Sequence, residues 1–458
     1  MRRWFAFTAI PKRIAWIAAA LLAISAPAHA VPSFARQTGL ECTSCHLSWP
    51  ELTSVGREFK LGGYTLTKEV SGERPLVSFS AEGPPPLLPL AVMVQLSLTN
   101  TQSTATDPSQ FPRNNAVALQ QASLFYAGRI VDHLGAFVQG TYDGITEHSA
   151  IDNVDIRLAN RYNEKDVDIA YGLTVNNNPT VSDIYNSTPA WGFPFASSSV
   201  AAAPNASTLI DGGLGQQVVG LGGYAMINRT LYAEVAGYRT ADGAFSIFRA
   251  GTDKSTDAVL DGGAPYWRLA LQHVWEGGTH SVMIGTYGID AKKFPDSLDP
   301  TGPTDRYLDT AVDAQYQYVT DLNRFSAQLT WIKEKQNLDA SFASGAASNP
   351  SDTLKTFRGK LTYYYDRQYG ATASYFRSTG SADDALYNTG EPVTGSATGS
   401  PNSSGYIFEL DWLPRRDMRL LAQYTAYNKF NGASSNYDGF GRNARDNNTF
   451  YLLGWLMF

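Results

Sequence analysis

From residue 88 onward, apolar and polar residues alternate with a period of two. Leu90, Val92, Val94, Leu96 and Leu98 fall on one face, with Ala91, Met93, Gln95, Ser97 and Thr99 on the other. The same alternation sets Val154, Ile156 and Leu158 against Asn153, Asp155 and Arg157, and Phe325, Ala327, Leu329 and Trp331 against Arg324 and Gln328. It returns at Tyr406, Phe408, Leu410 and Trp412, opposite Glu409 and Asp411. A two-residue period predicts strands. The ions on the minority face exclude a dry sandwich core, where unpaired charge is costly.

Sixteen such segments begin near residues 88, 116, 134, 151, 166, 214, 230, 264, 280, 306, 324, 353, 369, 404, 418 and 447, with alternation weakest in the second, third and ninth. Connections after even-numbered segments are short, as at 130–133, 276–279, 320–323 and 414–417, whereas those after odd-numbered segments are mostly long and rich in Gly, Ser, Asn and Asp. Short turns on one rim and long loops on the other predict an all-β, transmembrane antiparallel β-barrel of about 16 strands over residues 88–458, with periplasmic turns and external loops. The final strand, ending at Phe458, places Phe450, Leu452, Leu456 and Phe458 on one face.

Composition fits this pattern. The chain is 43% hydrophobic and 17% charged, with 25 Tyr and 40 Gly, which excludes a disordered polyelectrolyte and favours strands. After residue 30 no run approaches the roughly 18 apolar residues of a spanning helix, so membrane passage would fall to strands. Residues 1–30 read as a secretory signal peptide: Arg2, Arg3, Lys12 and Arg13, an apolar stretch from Ile14 to Ile24, and a small-x-small site at Ala28-His29-Ala30. Its removal takes the formal charge from −6 to −10, which excludes the basic footprint of a nucleic-acid binder. Expected partners are outer-membrane lipid and redox proteins.

Between leader and barrel, residues 31–70 form a separate segment, followed by a Pro/Gly-rich linker at 71–87 that contains Pro84, Pro85 and Pro86. The segment holds both cysteines of the chain, Cys42 and Cys45, followed directly by His46. Two thiols at this spacing can bond the two vinyl groups of one haem, and the adjacent imidazole can then take an axial iron position. A redox disulfide would want a βαβ context, and a structural zinc site would want a second Cys pair. Neither is present, so the expected cofactor is one covalent c-type haem held by Cys42 and Cys45, with His46 as proximal iron ligand.

Residues 32–64 resemble the N-terminal haem segment of the fused monohaem cytochrome-porin family, outer-membrane c-type cytochromes associated with iron(II) oxidation. The likeness rests on Phe34-Ala35-Arg36, Thr38-Gly39, the C-x-x-C-H motif, Pro50, Leu52, Gly56-Arg57, Phe59-Lys60 and Gly63-Tyr64. It implies a small helical haem segment fused to a porin-like barrel. Some 45 residues bury too little surface to fold unaided, so the segment is expected in or against the lumen. Phe34, Leu40, Leu47, Trp49, Leu52, Val55, Phe59 and Tyr64 are candidates to surround the haem. Arg36, Arg57 and Lys60 are either propionate partners or ordinary surface charges.

The distal iron position has no evident owner, since residues 31–80 contain no second His and no Met. Lys60, Tyr64, water or a barrel residue remain. Alternation turns Met93, Met226 and Met283 inward and leaves His273 and His280 in the lipid-facing register, with His133 in a turn and His148 in an external loop. The longest connection, from Asn176 to Gly213, carries Trp191, Phe193 and Phe195 and is either a constriction loop folded into the lumen or a disordered external loop.

The leading functional expectation is electron transfer through the haem from an extracellular donor, iron(II) by resemblance, to a periplasmic cytochrome or copper protein. The alternatives are a substrate-selective porin with a haem-bearing plug or gate, supported by an inner face that mixes Asp155, Arg157, Arg268, Asp313, Arg358, Lys360 and Glu409, or a haem enzyme such as a peroxidase.

Overall fold

A computed structural model describes residues 32–67, 88–103, 115–249 and 258–458. The signal peptide at 1–30 and the linker at 71–87 lie outside the described residues. The described chain forms one closed antiparallel barrel in which each strand pairs with its sequence neighbours and β1 pairs with β16.

The first eight strands are β1 (Leu90–Thr101), β2 (Val117–Val131), β3 (Leu134–Asp143), β4 (His148–Glu164), β5 (Val167–Asn176), β6 (Val218–Ile227), β7 (Leu231–Thr240) and β8 (Ala264–Trp275). The second eight are β9 (His280–Lys293), β10 (Asp305–Val319), β11 (Asn323–Asn337), β12 (Ser351–Tyr365), β13 (Tyr369–Gly380), β14 (Ser403–Arg415), β15 (Met418–Lys429) and β16 (Thr449–Met457). All three weakly alternating segments are strands. His148 opens β4 rather than sitting in a loop, because the β3–β4 connection closes in a short turn.

Side chains sort across the wall as the alternation requires. Leu329, Leu410 and Phe408 stand outward at 52%, 65% and 52% exposure, while Asp155, Arg157, Arg268 and Asp313 are buried inside. An apolar outer face, an ionic inner face, short turns on one rim and long loops on the other make this a multi-pass barrel of the bacterial outer membrane. Leu329 lies near the middle of β11, so Leu329→Arg is expected to cost about 2–4 kcal/mol of folding free energy, the cost of a cation at mid-bilayer, measured by denaturant titration in phospholipid vesicles.

Two pieces of chain fill the lumen. The first is the N-terminal segment, with three short helices, α1 (Pro32–Thr38), α2 (Cys42–Cys45) and α3 (Ser54–Leu61), at the short-turn rim. Its Gly63 adopts φ 67° and lies flat against the wall. A Cβ at the facing Gly135 would fall 2.2 Å from the Gly63 carbonyl oxygen, so the approach needs glycine on the wall. The second is the connection 177–217, which is folded inward: Val181, Ile184 and Tyr185 are fully buried. Of the two readings of this connection, the constriction loop is the one observed. The loop crosses the lumen because its polar groups bond widely separated strands, from Gln120 of β2, which accepts from the Ser199 amide at 3.2 Å, to β7, β10 and β11. Ser182 Oγ donates to Glu234 of β7 at 2.6 Å, and the Leu209 and Ile210 amides donate to Glu334 of β11 and Asp309 of β10.

Candidate functional site

The site is built around a tight junction between α2 and α3. Thr53 Oγ1 accepts from the Gly56 amide at the start of α3 and donates to the Ser44 carbonyl in α2 at 2.6 Å. This N-cap ties the two helices together. At Gly56 a Cβ would fall 2.2 Å from the Cys45 carbonyl oxygen, which lets α3 press directly on the Cys-bearing turn. Gly56→Val is therefore expected to force the two helices apart at a cost of about 1–3 kcal/mol, read as a loss of protection of the Cys45 and His46 amides in hydrogen exchange.

His46 ends α2, its amide bonded to the Cys42 carbonyl at 2.8 Å. Its Nδ1 lies 3.1 Å from the Pro50 carbonyl oxygen. A carbonyl can only accept, so Nδ1 carries the proton and donates, and Nε2 keeps its lone pair. Burial pushes the imidazole down to about 4, so the ring is neutral at physiological pH, the form that binds metal. Burial, with Cys42 adding to it, pushes the Cys45 thiol up to about 11. Redox-active C-x-x-C pairs have lowered thiol values, so the raised value argues against a disulfide oxidoreductase.

Wall side chains hold this turn from below and from the side. Arg324 Nη1 of β11 donates to the Thr43 and His46 carbonyls at 2.5 and 3.0 Å, and Arg419 Nη1 of β15 donates to the Trp49 carbonyl at 3.2 Å. Arg419 is itself held by Glu409 and Asp411 at 2.6 and 2.7 Å. Glu51, fully buried, accepts from Gln317 at 2.9 Å, from Ser326 Oγ and from Lys360 Nζ at 3.3 Å. Tyr64 OH donates to Asp155 at 2.6 Å.

Above the turn lies a cavity of 460 Å³, within the range of small-molecule and cofactor sites. Cys42, Cys45 and His46 form its floor together with Phe34, Trp49, Phe59 and Tyr64; Met93, Phe125, Trp455 and Met457 contribute wall, and Trp191 and Phe195 of the inward loop close it from above. The lining runs from Met93 and Met457, near the short-turn rim, to Gln120 and Asp152, in the half nearer the long loops. The indole nitrogens of Trp191 and Trp455 are buried without a hydrogen-bond partner among the described residues.

The predicted residues divide. Leu40, Leu52 and Phe59 join the cavity, but Leu47 is buried elsewhere and Val55 is 45% exposed. Of the three cations, Lys60 borders the cavity, whereas Arg36 and Arg57 do not. Their guanidinium groups are taken by the wall: Arg36 donates to the Leu90 carbonyl at 2.5 Å, and Arg57 to Gln317 at 2.8 Å and Ser281 at 3.1 Å. These contacts anchor the segment to the barrel. Lys60 Nζ is also engaged, by the Val181 and Asp183 carbonyls at 2.6 and 2.9 Å. His273 is exposed on the outer face, where it stacks on Trp275 at 5.5 Å; Trp275 in turn stacks on His280.

Sequence reasoning missed Glu51, Arg324 and Arg419. The signals were there: Glu51 sits in an apolar stretch that ends up buried, and alternation already turned Arg324 inward. What it lacked was the height at which the segment docks.

No family model and no curated protein matches the chain. Among solved structures, it is similar to the outer membrane channel DcaP of Acinetobacter baumannii, at 12% identity and TM-score 0.45, covering 81% of this chain and 96% of that one. It is also similar to an anion-selective porin from Comamonas acidovorans, at 11% identity and TM-score 0.45, covering 81% and 98%. Salmonella typhi OmpF is similar at 12% identity and TM-score 0.41, covering 81% and 97%.

Proposed function

We propose that the lumenal cavity takes one haem, bonded covalently through Cys42 and Cys45 and ligated by His46, and that the chain passes electrons across the outer membrane. The observation that carries this reading is the cavity beside Cys42, Cys45 and His46, inside a barrel filled by the N-terminal segment and the inward loop, with a lining that reaches from the short-turn rim into the half nearer the long loops.

The donor set suits the group. Two thiols share the cavity with an imidazole whose Nδ1 is held by a carbonyl, as the free ring nitrogen of a metal-bound histidine is, and aromatic rings line the space around them. The orphaned indole donors of Trp191 and Trp455 supply hydrogen-bonding capacity that no described residue uses. When bound, the haem supplies a one-electron carrier. The chain's own residues do the rest: Arg324 and Arg419 hold the Cys-bearing turn at fixed height, Glu51 and Arg57 lock it to the wall, and Trp191 and Phe195 cover it against solvent from the external side.

A hydrocarbon layer roughly 30 Å thick separates donor from acceptor, and a carrier held inside the barrel shortens that gap without any solute crossing. The donor is iron(II) by resemblance, and the acceptor is a periplasmic cytochrome or copper protein. Anaerobic addition of iron(II) to purified protein should produce the reduced haem bands, and His46→Ala should abolish this response. Intact reduction in His46→Ala would sink the proposal.

The second reading, a solute-selective channel with a haem-bearing gate, is favoured by the mixed ionic inner wall, including the Arg268–Asp313 pair at 2.6 Å. Liposome swelling separates the two: slow swelling with small sugars supports electron transfer through a sealed barrel, and fast swelling supports the channel.

A further inference from the structure

We infer that Met93, a residue of the barrel wall, supplies the sixth ligand to the haem iron, so that the redox centre is completed across the boundary between plug and barrel. This rests on the haem reading above. The segment itself offers no ligand beyond His46. Tyr64 OH is committed to Asp155 and Lys60 Nζ to two loop carbonyls.

The wall narrows the choice further. Met226 and Met283, also inward, pack with Leu61 in a separate cluster and do not border the cavity. His133, His148, His273 and His280 do not line it either. Among the described residues, the thioether and imidazole groups that do are His46, Met93 and Met457.

Met93 and Met457 are direct cross-strand partners on β1 and β16. Both pack in one buried cluster with Cys42, Trp49 and Phe125, at the height of the Cys-bearing turn. Met93 is the better placed. It is 3% exposed, and its sulfur is positioned by Gln95 Nε2 at 3.7 Å, Gln95 being another cavity residue. Met457 is 7% exposed, and no such contact to its sulfur is present among the described residues. A thioether is a soft ligand that raises the potential of a His-ligated haem, which suits an acceptor for a weakly reducing external donor.

The test uses the full holoprotein, after covalent haem has been verified on the denatured chain. Ferric wild type should show the sulfur-to-iron charge-transfer band of His/Met coordination. Met93→Leu, which conserves volume, should lose that band, gain carbon monoxide binding when ferrous, and show a lowered reduction potential. Met457→Leu should keep the band. Haem without the band in wild type, survival of the band in Met93→Leu, or its loss in Met457→Leu overturns the inference and leaves the haem reading standing. Absence of covalent haem overturns both.

Discussion

Replacing Cys42 and Cys45 together with Ser is expected to remove all covalently held haem from the denatured chain while leaving the barrel folded. These are the two cysteines of the whole sequence, so no other thiol can form the bond. The barrel should survive because its sixteen strands close on one another through their own ladders, with β1 paired to β16 and no strand contributed by the N-terminal segment. The measurements are haem staining on a denaturing gel and strand content by circular dichroism before and after heating. The single variants should each retain haem through one bond, at reduced yield. Full staining in the double variant would mean that the motif does not carry the group.

The second large effect concerns Glu51. Its carboxylate is fully buried and meets Lys360 Nζ at 3.3 Å, with Gln317 and Ser326 filling the other positions. Lys360 itself is buried, over the ring of Phe195 at 3.4 Å. Glu51→Ala leaves that ammonium without its counter-charge, and breaking a buried pair in this way costs about 3–5 kcal/mol. Since every 1.4 kcal/mol is tenfold, docking of the segment should weaken by two to nearly four orders of magnitude, roughly 10²–10⁴. The readout is protease cleavage within residues 32–67 of the folded, membrane-inserted protein, which should accelerate accordingly, together with faster liposome swelling as the rim opens. Unchanged cleavage would show that the segment is held by other contacts, such as Arg57 with Gln317 and Ser281. Lys360→Met in the Glu51→Ala background should recover part of the loss, because it removes the stranded charge.

Both expectations depend on the segment and the barrel forming one unit. The contacts between them are ionic and hydrogen-bonded as much as apolar: Tyr64 with Asp155, Arg324 with two α2 carbonyls, Arg419 with the Trp49 carbonyl. This explains why an inner face rich in charge is compatible with a filled lumen. The wall charges that looked like the lining of a water channel are in large part the sockets of the plug and of the inward loop.

What could be read from the chain alone follows from short-range rules. A strand exposes alternate residues to opposite faces, so sixteen strands, their starts within a few residues and the inward placement of Asp155, Arg157, Arg268 and Glu409 were legible wherever alternation was clean. The C-x-x-C-H spacing was legible because its chemistry is confined to five consecutive residues. The roles of Arg36 and Arg57 were not, because a guanidinium near a candidate haem reads the same whether it faces a propionate or the barrel wall. Docking supplies the wall partners, by bringing Leu90, Ser281 and Gln317 within reach across distances of tens to hundreds of residues in sequence. The fate of the 177–217 loop was equally open, since its sequence suits either an external or an internal loop; its inward fold depends on carboxylates of β7, β10 and β11 that accept its hydroxyl and amide donors. The same holds for Met93 and Met457, which are more than three hundred residues apart and meet because the barrel closes β1 on β16. Local periodicity set the wall; closure of that wall brought the cysteines, His46 and a sulfur-bearing strand pair around one cavity, because β16, already paired with β15 on one edge, satisfies its other edge by pairing with β1.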